Sequence, residues 1–154
     1  MSAAPLPALP PVPPWAGEPG PWTRTRGTLR LRRDDGARVT VEVERCAAGR
    51  LRAAYPVGEH DVEIAVTAGE SAAREVAAEA LRHMVEVIWE ADPRCRRVVL
   101  AAPVDDPDAA RTARDAGFRP AVEVELPGSG TVELLVREPD RVTRVDMDLD
   151  RVPT

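Results

Sequence analysis

Few side chains in this sequence have obvious capacity for chemistry, and they fall in separate stretches. His60 stands in Gly58-Glu59-His60-Asp61-Val62, just ahead of an alternating apolar run. A neutral imidazole there suits a general base near pH 7, and it equally suits a solvated turn. Glu63 follows within that run, where alternation puts it on a solvent face or lets it point into a cleft. Asp105, Asp106 and Asp108 crowd the start of a short helical stretch. Helix capping in a solvated acidic loop explains them. Ser71 has no visible His/Asp partner, so a nucleophilic triad has little support. His83, beside the apolar stripe of a helix, reads as helix surface, and Arg94, Arg96 and Arg97 read as a solvated turn. No His pair has ligand spacing and Cys46 and Cys95 are isolated, so no metal is expected. Two cysteines make no disulfide framework, which points to a reducing cytoplasm.

The elements that must position these residues are legible from periodicity. Leu29 and Leu31, then Val39, Val41 and Val43, alternate with polar residues around Asp34-Asp35-Gly36, giving a hairpin. Leu51 to Tyr55 reads as a third strand, and Val62, Ile64 and Val66 as a fourth. The period then switches to 3.6. Ala73, Val76, Ala77, Ala80, Leu81, Met84, Val85 and Ile88 form one stripe, with Ser71 as N-cap and Asp92-Pro93 as the stop. Val98 to Ala102 is wholly apolar, as a strand buried on both faces would be. Asp106-Pro107 opens a short helix that Gly117 closes, with Phe118 as an anchor. Val122, Val124 and Leu126, then Val132, Leu134 and Val136, flank Pro127-Gly128-Ser129-Gly130 as a second hairpin. Residues 141–149 alternate again, as an acidic edge strand or a tail.

Composition bounds the rest. With 154 residues, 44% of them hydrophobic and 31% charged, the chain suits one soluble domain with a sizeable core. Residues 1–26 are expected to form a Pro-rich arm without fixed structure, ahead of a single domain over 27–154; eight prolines fall before Thr23. No apolar run approaches the ~20 residues of a membrane span, and the N-terminus does not read as a secretory signal. A net charge of -5 argues against nucleic acid as a partner. All basic side chains but the histidines are arginine, and Lys, Asn and Gln are absent, a bias that reads as a GC-rich bacterial genome.

The order of strands, long helix, buried strand, short helix and hairpin gives an α/β (α+β) fold with a mixed, mostly antiparallel sheet. From about Asp61 to Glu138 it resembles the GNAT superfamily of N-acetyltransferases. Three stretches carry the likeness: Asp61–Val66 leading into the long helix, Trp89–Leu100, and Asp105–Phe118 ending in Ala116-Gly117-Phe118. The second is similar to the siderophore-type lysine acyltransferase branch.

The resemblance implies acyl transfer from CoA, or from a carrier-protein thioester, to a small-molecule amine or metabolite, possible within natural-product or siderophore biosynthesis. It implies a bulged fourth strand whose backbone at Val66, Thr67 and Ala68 meets the pantetheine arm. It implies that the helix start at Ser71 and Arg74 meets the pyrophosphate. It makes His60 a base for the amine, with Asp106 and Glu63 lining the cleft. The residues themselves depart from that pattern at the helix start. No glycine lies between Glu70 and Ala116, and Glu70 and Glu75 put negative charge where a pyrophosphate would sit. The same fold could therefore serve a reaction on a metabolite without CoA, or a non-catalytic partner module. The assembly is expected to be a monomer or a homodimer.

Overall fold

In the structure, a computed structural model describing residues 2–69 and 74–139, one seven-stranded sheet runs in the order β1-β2-β3-β4-β5-β7-β6. The strands are β1 (Trp15–Trp22), β2 (Arg26–Arg33), β3 (Arg38–Arg45), β4 (Val62–Ala68), β5 (Val98–Pro103), β6 (Arg119–Leu126) and β7 (Gly130–Arg137). Helix α1 (Arg74–Ala91) crosses from β4 to β5, and α2 (Pro107–Asp115) follows β5. All neighbours are antiparallel except β4 and β5, which run parallel because a helix joins them. The fold class is the one read from the sequence.

Alternation decides the two faces. Leu29, Leu31, Val39, Val41, Val43, Val62 and Ile64 point to the face that α1 covers with Leu81, Met84, Val85 and Ile88. The opposite face is divided. Beneath β5, β7 and β6 lies a smaller core of Val99, Leu126, Val132, Leu134 and Val136, closed by Cys46 and Leu51. Beneath β1 to β4 the outer face is polar. The first hairpin turns at Gly36, whose φ of +92° suits a residue without a Cβ. Asp106 caps α2 by accepting from the Ala109 N–H, Pro107 fills the first turn, and Gly117 leaves the helix at φ +91°.

Two expectations need correction. Leu51 to Tyr55 is not a strand; 3-10 turns occupy Cys46–Ala48 and Arg50–Ala53. β3 and β4 pair directly, Arg45 opposite Val62, so the segment between them has no sheet edge to join. It folds over the outer face, where Leu51 becomes fully buried.

The Pro-rich segment is likewise packed rather than a free arm. Leu6, Leu9 and Trp15 enter the core, and Trp15–Trp22 is the edge strand β1. Proline is tolerated at a sheet edge because one side of the strand needs no donor. The Arg45 guanidinium donates to the Ala4 and Pro5 carbonyls at 3.2 and 2.8 Å, and the Val12 N–H donates to His83 Nε2 at 3.2 Å. His83 therefore lies under this strap, and burial pushes its pKa down. The expected strand at 141–149 and the Ser71 cap lie outside the described residues.

Candidate active site

Strands β4 and β5 share only the pairs Val62 opposite Val98 and Glu63 opposite Val99. Each stays zipped on its other side. β4 pairs with β3 as far as Val39 opposite Ala68, and β5 pairs with β7 as far as Pro103 opposite Val132. The two parallel strands thus part, and a wedge opens toward their C-terminal ends. The Val62 N–H still donates to the Arg97 carbonyl at 3.2 Å. Alternation turns the Val66 N–H to the same side, where β5 has already moved away. The expected bulge is absent: the β3–β4 register runs without a shift. The backbone groups are freed by the parting of β5 instead.

A cavity of about 680 Å³ fills the wedge on the helix face, lined by Val66, Thr67, Ala68, Arg74, Leu100 and Asp106 among others. Val66, Thr67, Ala68 and Arg74, four of the five residues expected at the cofactor, therefore line one recess; the fifth, Ser71, lies outside the described residues. Asp106 also joins it, from the cap of α2. Arg74 is held 3.3 Å from the Asp115 carboxylate, and Glu75 stands in the first turn of α1. The walls of the wedge are apolar at Val66, Ala77, Leu81 and Leu100. Among the described residues at the start of α1, the one cation, Arg74, is paired with Asp115.

His60 does not line this cavity. It precedes β4, where the strands are still closed, and its Nδ1 lies 3.0 Å from Asp92 Oδ2. Arg45, 1% exposed, donates to the same carboxylate oxygen at 2.8 Å and to the His60 carbonyl at 2.6 Å. Burial pushes the Asp92 carboxyl up, but the hydrogen bonds from His60 and Arg45 outweigh it and hold the group below its ordinary value. The sequence carries a signal for this network. Arg45 continues the inward set Val39, Val41 and Val43, and an arginine on that face needs a buried partner.

Glu63 emerges on the outer face. Its carboxylate accepts from Arg50 Nε and Nη2 at 3.4 and 2.8 Å, and Arg50 also donates to Ser129 Oγ. A second cavity, of about 550 Å³, lies here between Arg26, Glu42, Glu44, Arg50, Glu63 and Ala65. Burial raises the Glu44 carboxyl above its ordinary value. Glu44 stands directly opposite Glu63, a pairing that needs the sheet register to be known. His60, Glu63 and Asp106 thus occupy three separate places. The thiols of Cys46 and Cys95 are buried and pushed up, the latter to about 12, so neither is a ready nucleophile. Among the described residues there is no group of three metal-ligating side chains, and no helix long and apolar enough to cross a membrane.

Solved structures share this architecture. The aminoglycoside acetyltransferase AAC(6')-Ib, in complex with coenzyme A, superposes with a TM-score of 0.64 at 14% identity, covering 78% of this chain and 70% of that one. An uncharacterized protein from Bacillus halodurans reaches a TM-score of 0.70 at 17% identity, covering 84% and 68%. RimJ from Mycobacterium smegmatis, in complex with CoA-disulfide, reaches 0.57 at 11%, covering 77% and 55%. At these identities the likeness is one of fold. No curated protein sequence matches the chain. The family model for the acetyltransferase (GNAT) domain matches residues 24–126, from the turn before β2 to the end of β6. With two thirds of its length in that match, the chain belongs to the GNAT acetyltransferase family.

Proposed function

We propose that this protein moves an acyl group from a thioester, carried by CoA or by a carrier protein, to a small-molecule amine. The observation that carries the reading is the parting of β4 and β5 after Glu63 and Val99, with a recess at the split. An extended arm entering from the helix face would meet apolar walls at Val66 and Leu100. The Val66 N–H would donate to the thioester carbonyl, where charge develops in the transition state. The amine would approach from the outer face, beside Ala65. Its nitrogen bonds the carbonyl carbon, the carbon–sulfur bond breaks, and the departing thiolate takes up a proton. Glu63, with Glu44 beside it, would accept the proton that the amine gives up. Glu44, whose own carboxyl is raised by burial, stands directly opposite Glu63 and can share that proton.

The acidic helix start favours a donor that needs no pyrophosphate cradle, such as a carrier-bound thioester. The same feature favours a second reading, in which the wedge serves a small metabolite without CoA. The likeness of Trp89–Leu100 to the siderophore-type branch supports an acceptor from a hydroxamate or other natural-product route. Calorimetry and thermal shifts with acetyl-CoA and an acetyl-pantetheine test the donor. A thioester at ~100-fold its dissociation constant adds about 2.7 kcal/mol of stability. Glu63→Gln is expected to lower kcat with the thioester still bound. Absence of any shift with either thioester would end the acyl-transfer reading.

A further inference from the structure

The outer face of β1 to β4 carries an ordered separation of charge that the wedge alone does not use. Its side chains fall in cross-strand rows, successive rows lying about 7 Å apart along the strands. Toward the closed end of β4 one row holds Arg26, Glu44 and Glu63, and the next holds Thr28, Glu42 and Ala65. Toward the open end come Glu18, Arg30, Thr40 and Thr67, and then Ala16, Arg32 and Arg38. Glu42, Glu44 and Glu63 gather at one end, with Arg26 among them, and Arg30, Arg32 and Arg38 at the other, with Glu18 opposite Arg30.

The arginine rows enclose a cavity of about 550 Å³ that includes Arg30, Arg32, Arg38, Thr40 and Thr67. Thr67 and Gly69 line both this cavity and the wedge, so the two meet at the end of β4. None of the three arginines forms an ion pair within 4.0 Å among the described residues, whereas Arg33, Arg45, Arg50 and Arg97 all do. Among the described residues, Glu18 is the one acid lining this cavity, opposite Arg30. Arg32 and Arg38 face each other directly across the β2–β3 pair, an arrangement of like charges that costs stability unless an anion lies between them. Guanidinium forks flanked by two threonine hydroxyls are the donor set that a carboxylate or a phosphate matches.

We propose that Arg30, Arg32 and Arg38, with Thr40 and Thr67, form an anion subsite that selects acceptors carrying a carboxylate or phosphate as well as the reacting amine. The inference rests on the acyl-transfer reading and names the class of acceptor within it. An anion held by the arginine rows leaves an amine at Ala65 about 7–13 Å away, two to four residue rises along β4. That amine lies next to Glu63 and Glu44. The face is complementary to a dipolar molecule with its charges at opposite ends, and a polycation would meet the arginines unfavourably.

The test has two arms. In the first, inorganic phosphate is titrated into the full chain while the arginine Nε–Hε resonances are followed by NMR. The resonances of Arg30, Arg32 and Arg38 are expected to shift, and the phosphate response to disappear in R32Q/R38Q. In the second, acyl transfer from acetyl-CoA is compared among a straight-chain ω-amino carboxylate, the matching ω-aminoalkyl phosphate and the matching uncharged ω-amino amide. An anionic acceptor is expected to exceed the amide at least tenfold in kcat/KM, falling to parity in R32Q/R38Q and shrinking with salt. The comparison of carboxylate with phosphate identifies the source of the anion. Arg32→Lys, which keeps the charge and loses the fork, is expected to retain part of the preference and serves if the double variant does not fold. Unperturbed arginine resonances, or equal use of amide and anions by the unaltered protein, would overturn the subsite. A phosphate response without thioester binding or transfer would uphold the anion site and sink the acyl-transfer reading.

Discussion

The two ends of β4 are opposites. At its start, charges are buried and mutually satisfied. Arg45 meets Asp92, His60 meets Asp92, and Arg97 bonds Asp61 at 2.9 Å and the Pro56 carbonyl at 2.9 Å. Here the neighbouring strand is still paired and the N-terminal strap is tied down. At the other end β5 has departed, recesses open on both faces, and three arginines are left without carboxylate partners among the described residues. A chemically eloquent residue such as His60 can therefore serve the closed end, while the open end is built from plain backbone, Ala65 and Val66. Where the strands separate decides which residues meet a recess, and His60 lies where they are still closed.

That contrast can be broken experimentally. The largest effect is expected from Arg45→Met, which leaves Asp92 and two strap carbonyls without their donor. Removing one partner of a buried pair costs about 3–5 kcal/mol, read by urea unfolding. A loss below 1 kcal/mol would show that the closed end is not held by charge. Next comes the open end. Ala109→Trp, at a half-buried position lining the wedge, should weaken thioester binding at least tenfold, about 1.4 kcal/mol, with little change in unfolding. Unchanged thioester affinity would remove the wedge from the site.

The acid limb of stability sharpens the comparison further. The Asp92 carboxyl is lowered in the folded state, so its contribution is present above its unfolded pKa of about 3.9 and is lost as pH falls through the lower folded value. Asp92→Asn should flatten the stability profile below about pH 4. A profile as steep as that of the unaltered protein would place the acid sensitivity elsewhere. His60→Ala should cost about 1 kcal/mol, the worth of one hydrogen bond, and leave turnover unchanged. A hundredfold drop in kcat would return His60 to the reaction. Smallest of all, breaking the exposed Arg119–Glu138 pair should move stability by less than about 0.5 kcal/mol.

The order of elements was legible along the chain because each has a local cause. Alternation marked β2, β3 and β4, the 3.6 period marked α1, and Asp106, Pro107 and Gly117 bounded α2. The segment from Leu51 to Tyr55 was misread because whether a short apolar run becomes a strand depends on a free edge, and β3 already occupied the one beside β4. Composition alone misjudged the Pro-rich stretch, since its docking depends on distant residues: Arg45 donates to the Ala4 and Pro5 carbonyls, and the Arg24 carbonyl accepts from the Leu6 N–H. Val66, Thr67, Ala68, Arg74 and Asp106 were placed in the wedge by family likeness. Glu44 and the arginine rows had no signal of their own, because a charged residue on an alternating strand looks the same whether it meets solvent, a cavity or a like charge.

The sequence by itself determined which residues of β2, β3, β4 and α1 face the core, where α1 ends, where α2 begins and ends, and that a helical crossover forces one parallel pair into the sheet. Only the tertiary structure decided that this pair separates after two residues, that His60 is spent on Asp92, and that acids and arginines sort to opposite ends of one face. The reason is physical. Periodicity is a property of neighbours along the chain, whereas strand register, partnering of charges and the opening of a cavity depend on residues that meet only after the sheet has formed.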